Sequence, residues 1–343
     1  MAWPAPSTGS APPAASPPGS RTSGKRRRSR WLLAATRSAT KPPAPAPPNT
    51  PFPIHVAAPS RRFTMSTVML PESTTPSVID APPPLSGSDA RRAFVMSHLP
   101  SHLCGLEIAP YFNPMVDRAK YDVFYVDCID NDEIRRKASE NPGATGQHVP
   151  HIDAVWVPGK RLSKCVGGRK FAYAVASHVM EHVPNPLGWL NEILECVEVG
   201  GRVAIMLPMR TQSMDYYRQN TTFGQVVGWS IEKPALPTPT QVMDFLSQSF
   251  FHRGEPLVEG EMPSFEEIHR HYTDKDALNY ANFVWNEKHY LDVHCSTWTP
   301  ESFKEIFSRL HNVGLLHCDV IGPFTGFPGA TTAEFLAFLE KQA

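Results

Sequence analysis

Two short stretches of this chain carry residues of the right type and spacing for chemistry. The first is Ala176-Ser177-His178-Val179-Met180-Glu181-His182-Val183-Pro184-Asn185-Pro186. An apolar, β-forming run from Phe171 to Ser177 leads into it, so His178 falls just beyond a strand, at the mouth of any cleft there. An imidazole so placed can serve as a base or position a substrate. His182 stands four residues further on, and on a helix the pair would share a face and could bind metal. Pro184 and Pro186 leave at most one helical turn, and no third ligand is evident nearby, so no metal is expected. His182 then reads as a structural hydrogen-bonder holding the loop. The second stretch is Glu107-Ile108-Ala109-Pro110-Tyr111-Phe112-Asn113-Pro114, with Asp127 twenty residues beyond Glu107 at the end of another apolar run. A tight loop that admits a ligand to the backbone, and an acid that accepts two hydrogen bonds from a ribose diol, form the general nucleoside-binding arrangement. A dinucleotide would want G-x-G-x-x-G. Only Gly105 is present and it lies inside the run, so a phosphate-free nucleoside fits better than NAD. The competing reading of Asp127 is a turn or helix-start aspartate.

The elements that must position these residues are legible around them. Leu103–Ile108, Tyr121–Asp127, Ile152–Val157, Phe171–Ser177 and Val203–Leu207 are five apolar runs of strand length. A polar helix is expected from Asp130 to Glu140, stopped by Pro142-Gly143. Leu187, Leu190, Ile193, Leu194 and Val197 form a helical stripe opened by Pro186, with Gly200-Gly201 expected as its left-handed stop. Thr299-Pro300 caps a helix through Phe303, Ile306, Phe307 and Leu310, ended by Gly314. Leu315–Val320 and Glu334–Leu339 read as an antiparallel hairpin at the sheet edge. Continuous apolar strands alternating with helices predict an α/β fold: a Rossmann-like, seven-stranded, doubly wound sheet with a C-terminal antiparallel hairpin. Residues 209–298 break the alternation. They hold Met214-Asp215-Tyr216-Tyr217, a helix expected from Gln241 to Phe251, and Ser264 to Tyr272. They read as a helical cap insertion that roofs the cleft and binds the acceptor. The spacings of His252, His269, His271, His289 and His294 match no ligand set, so the segment is expected to be an aromatic-rich lid.

Composition sets the outer bounds. Of 343 residues, 41% are hydrophobic and 19% charged, enough for a sizeable core and too apolar for wholesale disorder. Lys+Arg 33 balances Asp+Glu 33, but residues 1–71 hold ten basic and no acidic residues, leaving 23 basic against 33 acidic in the rest. That balance argues against a nucleic-acid binder. No apolar run reaches the ~18 residues needed to span a membrane. Residues 1–70 are Pro-, Ala- and Arg-rich and are expected to be a disordered tail, with the globular domain at 95–343. The tail resembles an organelle transit peptide. Its Lys25-to-Arg30 cluster could be a nuclear signal, its prolines could bind an SH3-like domain, or Met65 could be the true start. Cys104, Cys128, Cys165, Cys196, Cys295 and Cys318 form no C-x-x-C pair, which fits reduced thiols and a cytoplasmic location, with organelle targeting as the alternative.

The motifs resemble those of class I S-adenosylmethionine-dependent methyltransferases. Gly105-Leu106-Glu107-Ile108-Ala109-Pro110 looks like the family's L-E-I-G-P motif. The stretch from Phe171 to Pro186, followed by Gly200-Gly201-Arg202-Val203, resembles its "SHvlEHvpdp…GGr" core. Asp292-Val293-His294-Cys295, Thr299-Pro300-Glu301-Ser302-Phe303 and Glu334-Phe335 follow in the expected order, so the resemblance covers about residues 100–340. It implies S-adenosyl-L-methionine as cofactor. Glu107, Ile108, Ala109 and Pro110 would line its methionine end, Asp127 would hold the ribose, Trp156 and Val157 would border the adenine, and Ser177 and His178 would face the methyl group. Methyl transfer from a sulfonium is an in-line displacement in which alignment does most of the work. His178 is the candidate base, with Asp292 or His294 second. Trp156 or Tyr111 could border the sulfonium, although ordinary core packing is the simpler account of Trp156. Four positions depart from the pattern: Ala109 for glycine, Val157 for an acid, Ala172 for the Asp of "fDyv", and Met209 for the Asp of "PDkR". The expectation is methyl transfer to an O or N nucleophile of a small-molecule or glycan acceptor. The alternatives are a catalytically inactive nucleoside-binding or scaffold relative, or an adaptor recruiting partners through its tail. The acceptor and the oligomeric state are not written in the sequence.

Overall fold

A computed structural model describes residues 87–343 apart from 142–143, 145–148, 158, 251–256 and 259. The expected tail at 1–70, the helix stop at Pro142-Gly143 and His252 lie outside the described residues. Seven strands form one sheet: β1 (Gly105–Ile108), β2 (Val123–Asp127), β3 (Ala154–Val155), β4 (Phe171–Ser177), β5 (Val197–Pro208), β6 (Cys318–Phe324) and β7 (Glu334–Lys341). Their order is β3-β2-β1-β4-β5-β7-β6. The first five run parallel, and β7 inserts antiparallel between β5 and β6. The expected C-terminal hairpin is therefore present, with β6 on the edge.

The helices are α1 (Gly87–Ser97), α2 (Asn131–Glu140), α3 (Leu162–Cys165), α4 (Pro186–Cys196), α5 (Phe223–Glu232), α6 (Pro239–Gln248), α7 (Asp274–Glu287) and α8 (Pro300–Asn312). Alternate strand side chains feed two cores. On one face Leu106, Ile108, Ala174 and Ala176 meet the α4 stripe and Phe303, Ile306, Phe307 and Leu310 of α8. On the other, Tyr125, Tyr173, Val175 and Phe338 meet Val95 and Met96 of α1 and Ile134 of α2. Helices α6 and α7 have a separate cluster built on Val242, Phe245, Leu246, Ala281 and Val284. Within residues 209–298, α5 instead joins the first core through Val226, as does Trp298.

Two glycines have steric reasons to be where they are. A Cβ on Gly105 would lie 2.1 Å from the Tyr173 ring, so that large buried side chain packs across β1 only because no side chain stands there. Gly200-Gly201 does not stop α4 as expected. Val197 already leaves the helix in an extended conformation, and the two glycines lie inside β5, where the register with β4 shifts between Phe171 and Tyr173. Gly200 takes φ 78, and a Cβ on Gly201 would lie 2.5 Å from the Ala172 carbonyl oxygen. The glycines serve a strand irregularity.

Candidate active site

The chain leaves β1 through turns, with no helix before β2. No helix N-terminus is therefore aimed at a phosphate, which fits the phosphate-free ligand expected from the missing glycines. The buried Glu107 shapes this loop: its carboxylate accepts from the backbone N–H of Met115 at 2.7 Å and of Val116 at 2.8 Å. Burial pushes its pKa up to about 7 against those two donors. Ala109 sits at φ 55, the left-handed conformation that the family's glycine adopts freely, so the alanine retains the turn at a steric cost of about 1–2 kcal/mol. Tyr111 shares that conformation at φ 46.

Beyond the carboxyl ends of β1 and β2 lies a pocket whose lining includes Ile108, Ala109, Asp127, Trp156, His182 and Trp189. Asp127 Oδ1 accepts from the backbone N–H of Cys128 at 2.7 Å and of Ile129 at 3.3 Å, and burial raises its pKa. The turn-forming role and the binding role of this aspartate are thus compatible, because a carboxylate offers about four acceptor positions. Trp156 and Trp189 stack with their rings 6.2 Å apart and 11° from parallel. The Trp156 indole donates to the Lys160 carbonyl at 2.9 Å, whereas the buried Trp189 indole N–H finds no acceptor. A buried carboxylate, an approachable backbone turn, aromatic faces and an unanswered donor suit an adenosine. The free space there is about 10 Å³, room for about one water, so a nucleoside enters only if the rim draws apart. Of the expected cofactor residues, Glu107, Pro110, Val157, Ser177 and His178 are not among the lining. Val126, Cys128, Val179 and Trp189 also line it without having been expected at the cofactor, as does His182, which the sequence presents as a structural hydrogen-bonder.

A chain of charged groups adjoins this pocket. His178 leaves β4 at φ 54, its backbone N–H donating to the Met206 carbonyl at 3.0 Å. Its Nε2 lies 3.0 Å from Glu334 Oε2 and its Nδ1 lies 3.5 Å from Glu181 Oε1. Burial opposes a charge on this ring, but the two carboxylates outweigh it and lift the pKa to about 9. Two carboxylates thus favour the protonated ring, a form that donates a hydrogen bond and does not accept a proton. Its side chain is 41% exposed, so it retains an open side. Arg91 of α1 donates to Glu334 at 2.5 Å and to Ser177 Oγ at 3.3 Å, which ties Ser177 to this side of the sheet.

A single 3₁₀ turn, Met180–His182, carries Glu181 and His182. Residues 292–298 run extended alongside it, with the backbone N–H of Cys295 donating to the Glu181 carbonyl at 2.6 Å. This pairing brings Asp292 and His294 beside the 3₁₀ turn. His182 Nδ1 donates to Asp292 at 2.9 Å, and His294 Nδ1 donates to Asp215 at 2.5 Å. Asp215 also receives Arg218 at 2.7 Å. Burial opposes a proton on His294, but Asp215 raises its pKa. Met209 and Arg210, which stand in the "PDkR" position, are structural. Met209 bridges to Trp298, and Arg210 donates to Asn220 and to the Tyr216 and Arg218 carbonyls. Four groups at this centre were not singled out as site residues: Glu181, Glu334, Arg91 and Asp215.

The sheet order, with its antiparallel seventh strand and a pocket at the carboxyl ends of β1 and β2, is the Rossmann-like architecture of class I methyltransferases. A family model described as a methyltransferase domain matches residues 98–311, and the chain belongs to that family. The family's cofactor is S-adenosyl-L-methionine. No curated protein matches the chain. Among solved structures it is similar to an S-adenosylmethionine-dependent methyltransferase from Clostridium acetobutylicum ATCC 824, at 8% identity over 75% of this chain and 92% of that one, TM-score 0.39. It is also similar to a 1,6-didemethyltoxoflavin-N1-methyltransferase from Burkholderia thailandensis with bound S-adenosylhomocysteine, at 11% identity over 75% and 79%, TM-score 0.36. A third is the CurJ carbon methyltransferase, at 9% identity over 75% of this chain but 54% of that chain, TM-score 0.35, so this chain spans about half its length. At these scores the assignment rests on the family match. Among the described residues, no helix is long and apolar enough to cross a membrane.

Proposed function

We propose that this methyltransferase moves a methyl group to an O or N nucleophile of a small-molecule or glycan acceptor. The observation that carries the reading is that Ile108, Ala109, Asp127 and Trp156, four of the residues that the family pattern assigns to the cofactor, line one pocket. When bound, S-adenosylmethionine supplies an electrophilic methyl on a cationic sulfur. Asp127 would accept from the ribose hydroxyls, the Ala109 turn would let the ligand approach the backbone, and the Trp156 and Trp189 faces would border the adenine. His178, clamped between Glu181 and Glu334, would orient the acceptor as a donor on its open side. Residues 209–298 would form the acceptor-binding cap, with α6 and α7 packed on an apolar cluster of their own and α5 anchored in the main core.

The test is titration with S-adenosylhomocysteine, followed by calorimetry and by the fluorescence of the pocket tryptophans, then methyl transfer to a panel of sugar, phenol and amine acceptors. Binding with product formation supports the reading, and absence of binding overturns it. His178→Ala is expected to lower turnover while leaving S-adenosylhomocysteine affinity within a few-fold; wild-type turnover would remove His178 from the acceptor site. A second reading, a nucleoside-binding relative without catalysis, is favoured by the water-sized pocket and by Ala109. It predicts binding with no product from any acceptor.

A further inference from the structure

The 3₁₀ turn after β4 and the extended run before α8 bring together three groups that the sequence separates by more than a hundred residues. One ligand atom each from Glu181, His182 and His294 lies within 4.8 Å of the others. Three further observations give the cluster a direction. A carboxylate can only accept, so the bonds to Asp292 and Asp215 place the Nδ1 proton on both imidazoles. In the neutral ring Nε2 then carries the lone pair, and His182 Nε2 faces Glu181 Oε1 at 3.8 Å. The pairing of each Nδ1 with an aspartate, Asp292 or Asp215, is the outer support that metal-binding imidazoles characteristically have. Finally, Glu181 is 1% exposed, and its Oε2 has no hydrogen-bond partner, a costly state for a buried carboxylate oxygen unless something else answers it.

We propose that Glu181, His182 and His294 bind a divalent transition cation of the Zn²⁺ or Mn²⁺ class, with Asp292 and Asp215 as the groups that orient the two imidazoles. Two histidines and one carboxylate are a recurrent donor set for such ions, leaving a position open to an oxygen ligand. With bonds of about 2.0–2.1 Å, tetrahedral ligands stand about 3.4 Å apart, so the side chains need to close by no more than about 1.4 Å. His182 also lines the cofactor pocket, so the open position faces the place where chemistry would occur. Under the methyltransferase reading above, on which this last step rests, that position would hold an acceptor oxygen. The cation site itself stands on the geometry alone.

The test uses the full chain, stripped with a chelator and titrated with Zn²⁺ by calorimetry and with Co²⁺ by its visible absorption. One equivalent is expected to bind, with the visible bands of a four- or five-coordinate Co²⁺. Glu181→Gln and His294→Ala should each weaken binding at least about 100-fold. Asp292→Asn, at a partly exposed position whose loss endangers folding less, should weaken it about 10–100-fold. Absence of binding to the wild-type chain overturns the proposal. So does stoichiometric binding unchanged in folded Glu181→Gln and Asp292→Asn, which would put the ion elsewhere. S-adenosylhomocysteine titration of the chelated protein runs in parallel. Cation binding without nucleoside binding would sink the methyltransferase reading and leave the metal site standing, and the reverse result would do the opposite.

Discussion

Asp127 offers the sharpest test of the pocket because its two oxygens can be separated by one substitution. Oδ1 alone receives the backbone N–H groups of Cys128 and Ile129, at 2.7 and 3.3 Å. Asp127→Ala would strand both donors in a buried turn at about 1–3 kcal/mol each, so a loss of binding there would be confounded with damage to the fold. Asp127→Asn retains a carbonyl oxygen for those donors and should leave unfolding free energy within about 1 kcal/mol of wild type. It replaces the other oxygen with an amide NH₂, turning an acceptor toward the ribose diol into a donor. A hydrogen bond to a charged acceptor is worth about 1.5–3 kcal/mol, so the expected loss is about 2–3 kcal/mol, or about 30- to 150-fold in S-adenosylhomocysteine affinity. Calorimetry gives the affinity and urea unfolding gives the control. A folded Asp127→Asn protein with wild-type affinity would mean that this carboxylate does not hold a ribose, and the pocket would lose its main claim to a nucleoside.

Three further outcomes follow from the same geometry. Ala109→Gly relieves a left-handed alanine, worth about 1–2 kcal/mol, and returns about 0.4–1 kcal/mol of chain entropy to the unfolded state. Stability should therefore hold or rise by about 1 kcal/mol while nucleoside affinity increases, and a fall in affinity would count against backbone approach at this turn. Glu107 has a folded pKa of about 7 against an ordinary 4.5, so the folded state holds its proton more tightly than the unfolded state does. Its contribution is greatest below pH 4.5 and is lost as pH rises toward 7, by up to about 3 kcal/mol. Urea midpoints from pH 5 to 8 should show that decline in wild type and a flatter profile in Glu107→Gln; an identical slope in both would assign it to other groups. Glu334→Ala leaves Arg91 and His178 without their shared buried carboxylate and should cost about 3–5 kcal/mol in unfolding free energy, whereas a cost under about 1 kcal/mol would show the pair to be peripheral.

The parts of the fold that could be read in advance are those with one dominant local signal. Strand β4 matches its expected span, Phe171–Ser177, because six successive apolar residues, Phe171 to Ala176, bounded by polar ones leave little choice. Helix α8 follows its Thr299 cap and its four-residue apolar stripe. By contrast α1 contributes only Val95 and Met96 to the core and begins at Gly87, ahead of the expected domain start at residue 95, so its periodicity was too weak to register. Helices α5 and α7 were overlooked, yet both announce themselves by capping boxes: Thr222 with Gln225, and Thr273 with Asp276. Helix α6, expected from Gln241, starts two residues earlier for the same reason, with Thr238 and Gln241 as its box. Ile108, Ala109, Asp127 and Trp156, the expected residues that line the pocket, are legible because strand ends mark them. The charged centre is not legible, because Arg91, Glu181, Asp215 and Glu334 come from four distant parts of the chain that meet only in the folded structure, and no spacing in the chain encodes that meeting.

That centre bears on what the site can do. Glu181, Glu334, Asp215, Asp244 and Asp292 are five carboxylates joined through short contacts, and among the described residues the guanidinium groups of Arg91 and Arg218 lie with them. Negative charge in a poorly solvated place must be answered by protons on the adjoining imidazoles or by a cation from outside. His178, when protonated between Glu181 and Glu334, answers one charge and in that form cannot accept a proton. Catalysis at this site would then lean on alignment and electrostatics, with the nucleophile's proton leaving by a route other than His178. An anionic surplus beside the pocket also favours a positively charged guest over a neutral one. S-adenosylmethionine carries a sulfonium, and the product left after transfer has a neutral sulfur. The same charge surplus that would draw the cofactor in would therefore relax its hold once the methyl group has gone.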